Sequence, residues 1–183
     1  MQRLLTIVIP SYRSEKLILS HLKKIPNKYR IIIIENSYNK SLKNKIEKNY
    51  KNCNVFLKKN IGFGRAVNFA SKKVKTKYFV VFNPDTRIYK NTLGKLINSA
   101  EKLDKFGAIG PIDFKLRKNK NKKNIIESKT IHGPIMFFKT KTFIKIKGFD
   151  KNFFLYYEEN DYFRRCNIAN LNLYLVTNSF YTH

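Results

Sequence analysis

The chain has 183 residues, 43% hydrophobic and 14% aromatic, which is enough apolar material for one domain with its own core and too much for a disordered polymer. Its 38 lysines and arginines stand against 12 acids, a balance that invites nucleic acid or an anionic membrane surface as a partner. The excess is mostly lysine, 30 against 8 arginines, accompanied by 21 asparagines in the manner of AT-rich coding. Base-reading surfaces favour arginine and no recognition motif is present, so nucleic acid is disfavoured.

Leu4 to Pro10 is a continuous apolar, β-branched run, the pattern of a strand covered on both faces. Its apolar part, Leu4 to Ile9, is too short to span a membrane or to form a signal-peptide core. Ser14 is placed to cap a helix from Glu15 to Lys24. Tyr29 to Ile34 repeats the buried strand, and Leu42 to Tyr50 reads as a helix with many surface lysines. Val55 to Leu57 is a short third strand, Gly62 to Val74 a loop entering a helix, and Tyr78 to Phe82 a fourth strand ending in the turn Asn83-Pro84-Asp85. Leu93, Leu96, Ile97, Ala100 and Leu103 set a helical period over Thr92 to Phe106, and Ala108 to Pro111 is strand-like. Six of the nine residues from Lys115 to Lys123 are basic, so 115–124 reads as a solvated, mobile loop. Ile135 to Lys139 is a strand, Glu158 to Arg165 a short helix and Leu173 to Thr177 a last strand.

Strands alternating with helices imply an α/β fold in one domain: a doubly wound, mostly parallel sheet with helices on both faces and no internal repeat. Cys53 and Cys166 are too few and too far apart for a disulfide framework or a cysteine metal site, which fits a reducing cytoplasm. The stop at His183, directly after a strand-like stretch, points to an absent C-terminal portion.

In such a sheet, ligands bind outside the carboxyl ends of the strands. Ser11 follows the first strand, Glu35 and Asn36 the second, Asn60 and Gly62-Phe63-Gly64-Arg65 the third, and Asp85 the fourth, so four polar strand ends point to one crevice. Gly62 and Gly64 either let backbone amides approach a phosphate, with Arg65 adding charge, or serve a tight turn. Asp85, beside Pro84, is either a ligand for Mg²⁺ or Mn²⁺ or a turn cap. Glu158, Glu159 and Asp161 put three of the twelve acids within four residues, after the aromatic run Phe153-Phe154-Leu155-Tyr156-Tyr157. Aromatic flanks strip solvent and raise a carboxyl pKa, as suits a general base; the same acids also favour a helix start. His21 reads as a surface or packing residue, His132 as lining a loop before Gly133 and Pro134, and His183 as a metal ligand or a frayed terminus.

In order and spacing these segments resemble family-two glycosyltransferases of the GT-A type, particularly the rhamnosyltransferase-like branch, over nearly the whole chain. Thr6-Ile7-Val8-Ile9-Pro10-Ser11-Tyr12 resembles the family's opening strand, and Ile33-Ile34-Glu35-Asn36-Ser37 its second, where an acid and Asn meet the nucleoside. Asn60 to Asn68 resembles its Asn, Gly-Phe and Asn loop, and Phe82-Asn83-Pro84-Asp85-Thr86 its metal-binding segment. Gly148-Phe149-Asp150 through Phe154, then Glu158-Glu159-Asn160-Asp161 and Arg164, resembles the acceptor-side block.

The resemblance implies an inverting transfer, without a covalent intermediate, from a dTDP- or UDP-type sugar to a glycan or lipid-linked acceptor. It assigns residues 1–90 to the donor half and 91–183 to the acceptor half, where His132, Gly133 and Asp150 fall. Asp85 would hold Mg²⁺ or Mn²⁺ on the donor diphosphate, with His183 completing the metal shell. Glu159 would take the acceptor proton, and Asp161 or Glu158 would orient it. Three departures stand out: Asn83 replaces the first acid of the Asp-x-Asp motif, Glu35 replaces an Asp, and Glu159 reaches about one bond further than the usual Asp. The lysine-rich surface suits work at the cytoplasmic face of an anionic membrane. The competing reading is a non-catalytic basic domain for nucleic acid or membrane, which has no use for Asp85, Glu159 and Asp161 around one crevice. A nucleotidyltransferase needs a Gly-rich basic loop after its first strand, and Pro10-Ser11-Tyr12-Arg13 is a poor version of one.

Overall fold

The computed structural model describes residues 4–117 and 123–183, so the centre of the basic stretch expected to be mobile, 118–122, lies outside the described residues. β1 (Leu5–Ser11) is buried throughout, with Leu5, Ile7 and Ile9 entering one core layer and Val8 the other. β2 (Arg30–Glu35) and β3 (Cys53–Leu57) follow in parallel on one side of β1, and β4 (Tyr78–Phe82) lies parallel on the other. The strand order therefore reverses at β1, and a crevice opens outside the carboxyl ends of β1 and β4.

Beyond β4 the sheet is mixed. β8 (Ile135–Lys139) runs antiparallel between β4 and β6 (Ala108–Asp113), and β6 is parallel to β9 (Leu173–Thr182). Two short strands, β5 (Arg87–Ile88) and β7 (Ile125–Ser128), are both antiparallel to β9. The parallel half is the one the sequence announces through alternating strands and helices. A run such as Ile135–Lys139, buried on both faces, carries no mark of direction.

Helices α1 (Glu15–Leu22), α2 (Lys40–Asn49) and α4 (Thr92–Glu101) close one face through Ile18, Leu22, Leu42, Ile46, Leu93 and Leu96. α3 (Phe63–Ser71), α5 (Thr140–Lys145) and α6 (Glu158–Ile168) close the other through Ala66, Val67, Ala70, Phe143, Tyr162 and Phe163. Among the described residues no helix is long and apolar enough to cross a membrane.

Several boundaries differ from expectation. The Ser14 hydroxyl makes no cap; it donates to the Tyr12 carbonyl at 2.9 Å. α1 stops at Leu22, where Lys24 and Ile25 both bond the His21 carbonyl ahead of Pro26. α4 ends at Glu101 rather than Phe106: the Lys102 amide closes on Ser99, and Phe106 turns inward to pack on Tyr78, ring centroids 6.4 Å apart. β9 continues through the polar Asn178 and Ser179 to Thr182, because a register shift at Pro111/Ile112 lets β6 hold its second half and β5 pairs with its end.

Candidate active site

At the carboxyl end of β1, Ser11 is buried, and the neighbouring loop is tied on by the Asn36 amide donating to the Ser11 carbonyl at 2.7 Å. Ser11 Oγ and Asn36 Oδ1 are both buried without a hydrogen-bond partner. Buried polar atoms left so are costly, and two together at a strand-end crevice are what a ligand's polar groups would satisfy. Beside them, Tyr12 after Pro10 is 45% exposed and lies at the crevice edge. Glu35, by contrast, is spent locally. Its Oε1 accepts from the amide and hydroxyl of Ser37, and its Oε2 from the Asn39 amide at 2.6 Å, so it fixes the turn into α2.

The loop between β3 and α3 resolves the choice left open for its glycines. Gly62 has φ +83°, and a Cβ there would stand 2.3 Å from the Phe154 carbonyl oxygen. The Phe63 amide donates to that same carbonyl at 3.0 Å, and the Gly62 amide to Asn60 Oδ1 at 3.4 Å. These amides are committed to protein, so Gly62 serves a close turn rather than a phosphate cradle. Gly64 likewise lies against Glu158, whose Cβ would be 3.5 Å from an added methyl. Two residues expected to touch donor also act as struts. Asn68 donates to the Phe149 carbonyl at 2.7 Å and accepts the Phe149 amide at 2.9 Å, while Arg65 Nε donates to the Lys151 carbonyl at 2.7 Å.

The expected metal ligands do meet. Asp85 Oδ1 is 3.1 Å from His183 Nε2, and the two side chains are 55% and 39% exposed. The short β5 explains this: Arg87 pairs with Thr182 and Ile88 with Tyr181, which carries His183 back to the Asn83-Pro84-Asp85 turn. Among the described residues no set of three or more His, Cys, Asp or Glu side chains converges as a metal cage. One carboxylate and one imidazole at an open position fit a hard divalent ion that takes its remaining ligands from substrate phosphates and water. His21, set aside in the sequence, is half-buried and near enough to feel Asp85; burial first, then Lys24, holds its pKa below the usual value.

The α6 acids divide by role. Asp161 accepts from Arg165 Nε at 2.8 Å, and Arg165 also donates to the carbonyls of Ile146 and Gly148 at 2.6 Å, so Asp161 braces a turn. Asp150, expected on the acceptor side, caps its own turn by accepting the Asn152 amide at 2.9 Å. Glu158 is buried, and burial raises its pKa to about 6, with Glu159 adding to the rise. Phe154, Leu155, Tyr156 and Tyr157 face solvent at 51–69% exposure, and Glu158 lies against Gly64, where an added Cβ would be 3.5 Å from its Cβ. Glu158 Oε2 and Glu159 Oε2 are both buried and unpaired.

Glu159 Oε1 would be 3.4 Å from a Cβ at Gly133, beside the exposed His132. The next carbonyl, of Pro134, accepts both the Asn83 amide and the Thr86 hydroxyl at 3.0 Å. Residues 132–134 thus connect the surroundings of Glu159 to the turn that carries Asp85.

Solved structures with the same fold share little sequence with this chain, and none of the curated proteins matches it. A Pyrobaculum calidifontis mannosyltransferase in complex with GDP-Man and Mn²⁺ superposes with a TM-score of 0.81 at 13% identity, over 100% of this chain and 57% of that one. GalNAc-T7 with UDP, GalNAc and Mn²⁺ gives 0.82 at 16%, over 100% and 44%. S. aureus TarS 1-349 in complex with UDP-GlcNAc gives 0.71 at 16%, over 100% and 59%. The chain therefore spans about half the length of these proteins, and the likeness establishes the GT-A fold. The family model for glycosyl transferase family 2 matches residues 6–171, and the chain belongs to that family.

Proposed function

We propose that the chain transfers a sugar from a nucleoside diphosphate of the dTDP or UDP type to a hydroxyl of a glycan or lipid-linked acceptor, with inversion. The observation that carries this reading is the Asp85–His183 pair, with the 132–134 segment running from the turn that holds Asp85 to the unpaired Glu159 carboxylate. The mannosyltransferase, solved with GDP-Man and Mn²⁺, and GalNAc-T7, solved with UDP, GalNAc and Mn²⁺, support a nucleotide-sugar donor and a divalent metal. Residues up to about 90 supply the donor half, where Ser11 Oγ and Asn36 Oδ1 would meet the nucleoside.

Asp85 and His183 would hold Mg²⁺ or Mn²⁺, which neutralises charge on the departing diphosphate. The acceptor oxygen attacks the anomeric carbon as the bond to the diphosphate oxygen breaks, and its proton passes to Glu159. Glu158, buried next to that base, holds its proton only up to a pH of about 6 and is mostly ionised at neutral pH. The exposed run from Phe154 to Tyr157 offers ring faces to the acceptor, and the lysine-rich surface suits the cytoplasmic face of an anionic membrane.

Asp85→Ala and Glu159→Gln should each lower sugar transfer by about 10²- to 10⁴-fold with the thermal midpoint unchanged. The donor is found by screening nucleotide sugars for thermal stabilisation with and without Mn²⁺. Turnover near wild type in either variant removes that residue from the mechanism. Stabilisation by no nucleotide sugar favours the non-catalytic basic domain.

A further inference from the structure

A cleft of about 670 Å³ is lined by one face of α3, by the loop after β3 and by the turn after α5. Arg65, Asn68, Phe69 and Lys72 line it from one face of α3, opposite the Ala66, Val67 and Ala70 face buried on the sheet. Six of its twelve lining residues are Lys or Arg against 38 of 183 in the chain, so the charge is concentrated here beyond the general lysine excess. Among the described residues, Lys58, Arg65, Lys72, Lys147 and Lys151 make no ion pair. The one acid lining the cleft, Asp150, has Oδ1 turned to its own loop.

The walls are built rather than incidental. Arg65 holds the Lys151 carbonyl, Asn68 holds both polar groups of Phe149, and Arg165 clamps the carbonyls on either side of Lys147. Lys147 itself sits at φ +66°, a left-handed conformation that a side chain adopts at a cost and keeps only when its surroundings enforce it. The cations are thus presented on a fixed frame, which lowers the cost of binding.

The chemistry of the ligand follows from what is open. No aromatic face is free for a base: Phe149 is buried, and the Phe69 ring has Lys58 Nζ 4.0 Å from its centre and Phe56 against it at 5.4 Å. Lysines are tolerant point charges, suited to a flexible run of anionic groups rather than to one planar carboxylate. We propose that this cleft is a second anion site, which binds a chain of phosphate groups carried by the acceptor, apart from the donor diphosphate at Asp85. The assignment to an acceptor rests on the glycosyltransferase reading; the binding itself does not.

The test is calorimetric titration of the whole chain with inorganic tripolyphosphate, in EDTA so that no metal links the ligand to Asp85. Lys72→Glu with Lys147→Glu should weaken binding about tenfold or more, and Lys16→Glu with Lys48→Glu, an equal charge change on α1 and α2, less than about threefold. Equal losses, or none in the cleft variant, overturn the site. If the charge reversal unfolds the chain, Lys72→Ala with Lys147→Ala replaces it. Donor titration of the same variants in Mn²⁺ keeps a failure here distinct from a failure of the glycosyltransferase reading. Tighter capture of oligothymidylate through the same lysines overturns the acceptor as the source of the phosphates.

Discussion

Glu158 binds its proton more tightly in the fold than in the unfolded chain, with a pKa of about 6 against an ordinary 4.5, and the first cause is burial. Stability from that proton is complete below the unfolded value and is lost as pH rises through about 6. Glu158→Gln should therefore raise the thermal midpoint at pH 7.5 and change it little at pH 4.5; an equal shift at both would refute the buried-charge account. Which residues would form the site was partly legible at this scale, and what each does was much less so. Asp85 and His183 are named by resemblance, and the structure puts them together. The local duties of Glu35 and the bracing duty of Asp161 depend on which donors reach them, and sequence spacing does not specify that. Asn68 and Arg65 are further from reach, because their partners, Phe149 and Lys151, lie 81 and 86 positions away.

Among elements, the strut from α3 to the turn after α5 makes the sharpest case. Gly148 stands at φ +60°, and a Cβ there would meet Asn68 Oδ1 at 2.3 Å, so a small residue, a left-handed turn and a double amide bond are one device. Asn68→Ala should cost about 2 kcal/mol, roughly 4–8 °C in thermal midpoint, while donor affinity stays at the wild-type value. Loss of donor affinity without loss of stability would return Asn68 to the donor site. Long buried runs were read well: Tyr78–Phe82 and Ile135–Lys139 have the limits their composition implies. β5, β7 and α5 were missed, because two residues, a four-residue strand with partial burial and a helix under two turns leave no periodicity to detect.

The whole molecule carries a net charge of +26, and among the described residues few ion pairs offset it, including Lys43–Glu47, Lys45–Glu15 and Lys77–Glu101 near the surface. Self-repulsion then opposes compaction, and salt relieves it. Raising sodium chloride from about 10 mM to 0.3 M shortens the screening length from about 30 Å to well under 10 Å and should lift the thermal midpoint by several degrees. A fall would show that the surface pairs outweigh the repulsion. The doubly wound parallel half of the architecture was evident from alternating patterns. The mixed half was not, because direction is set by connections and partners across the sheet rather than by local composition.

β9 holds β6 along one edge and both β5 and β7 along the other. During biosynthesis β5 leaves the ribosome some ninety residues before the strand that receives it, so Asp85 waits as an unaccompanied carboxylate on a nascent chain. The imidazole arrives only when the far strand docks. Under the proposed function, ion capture at this pair would report finished assembly, and a growing polypeptide would be spared from gripping metal before it has a sheet to hold it.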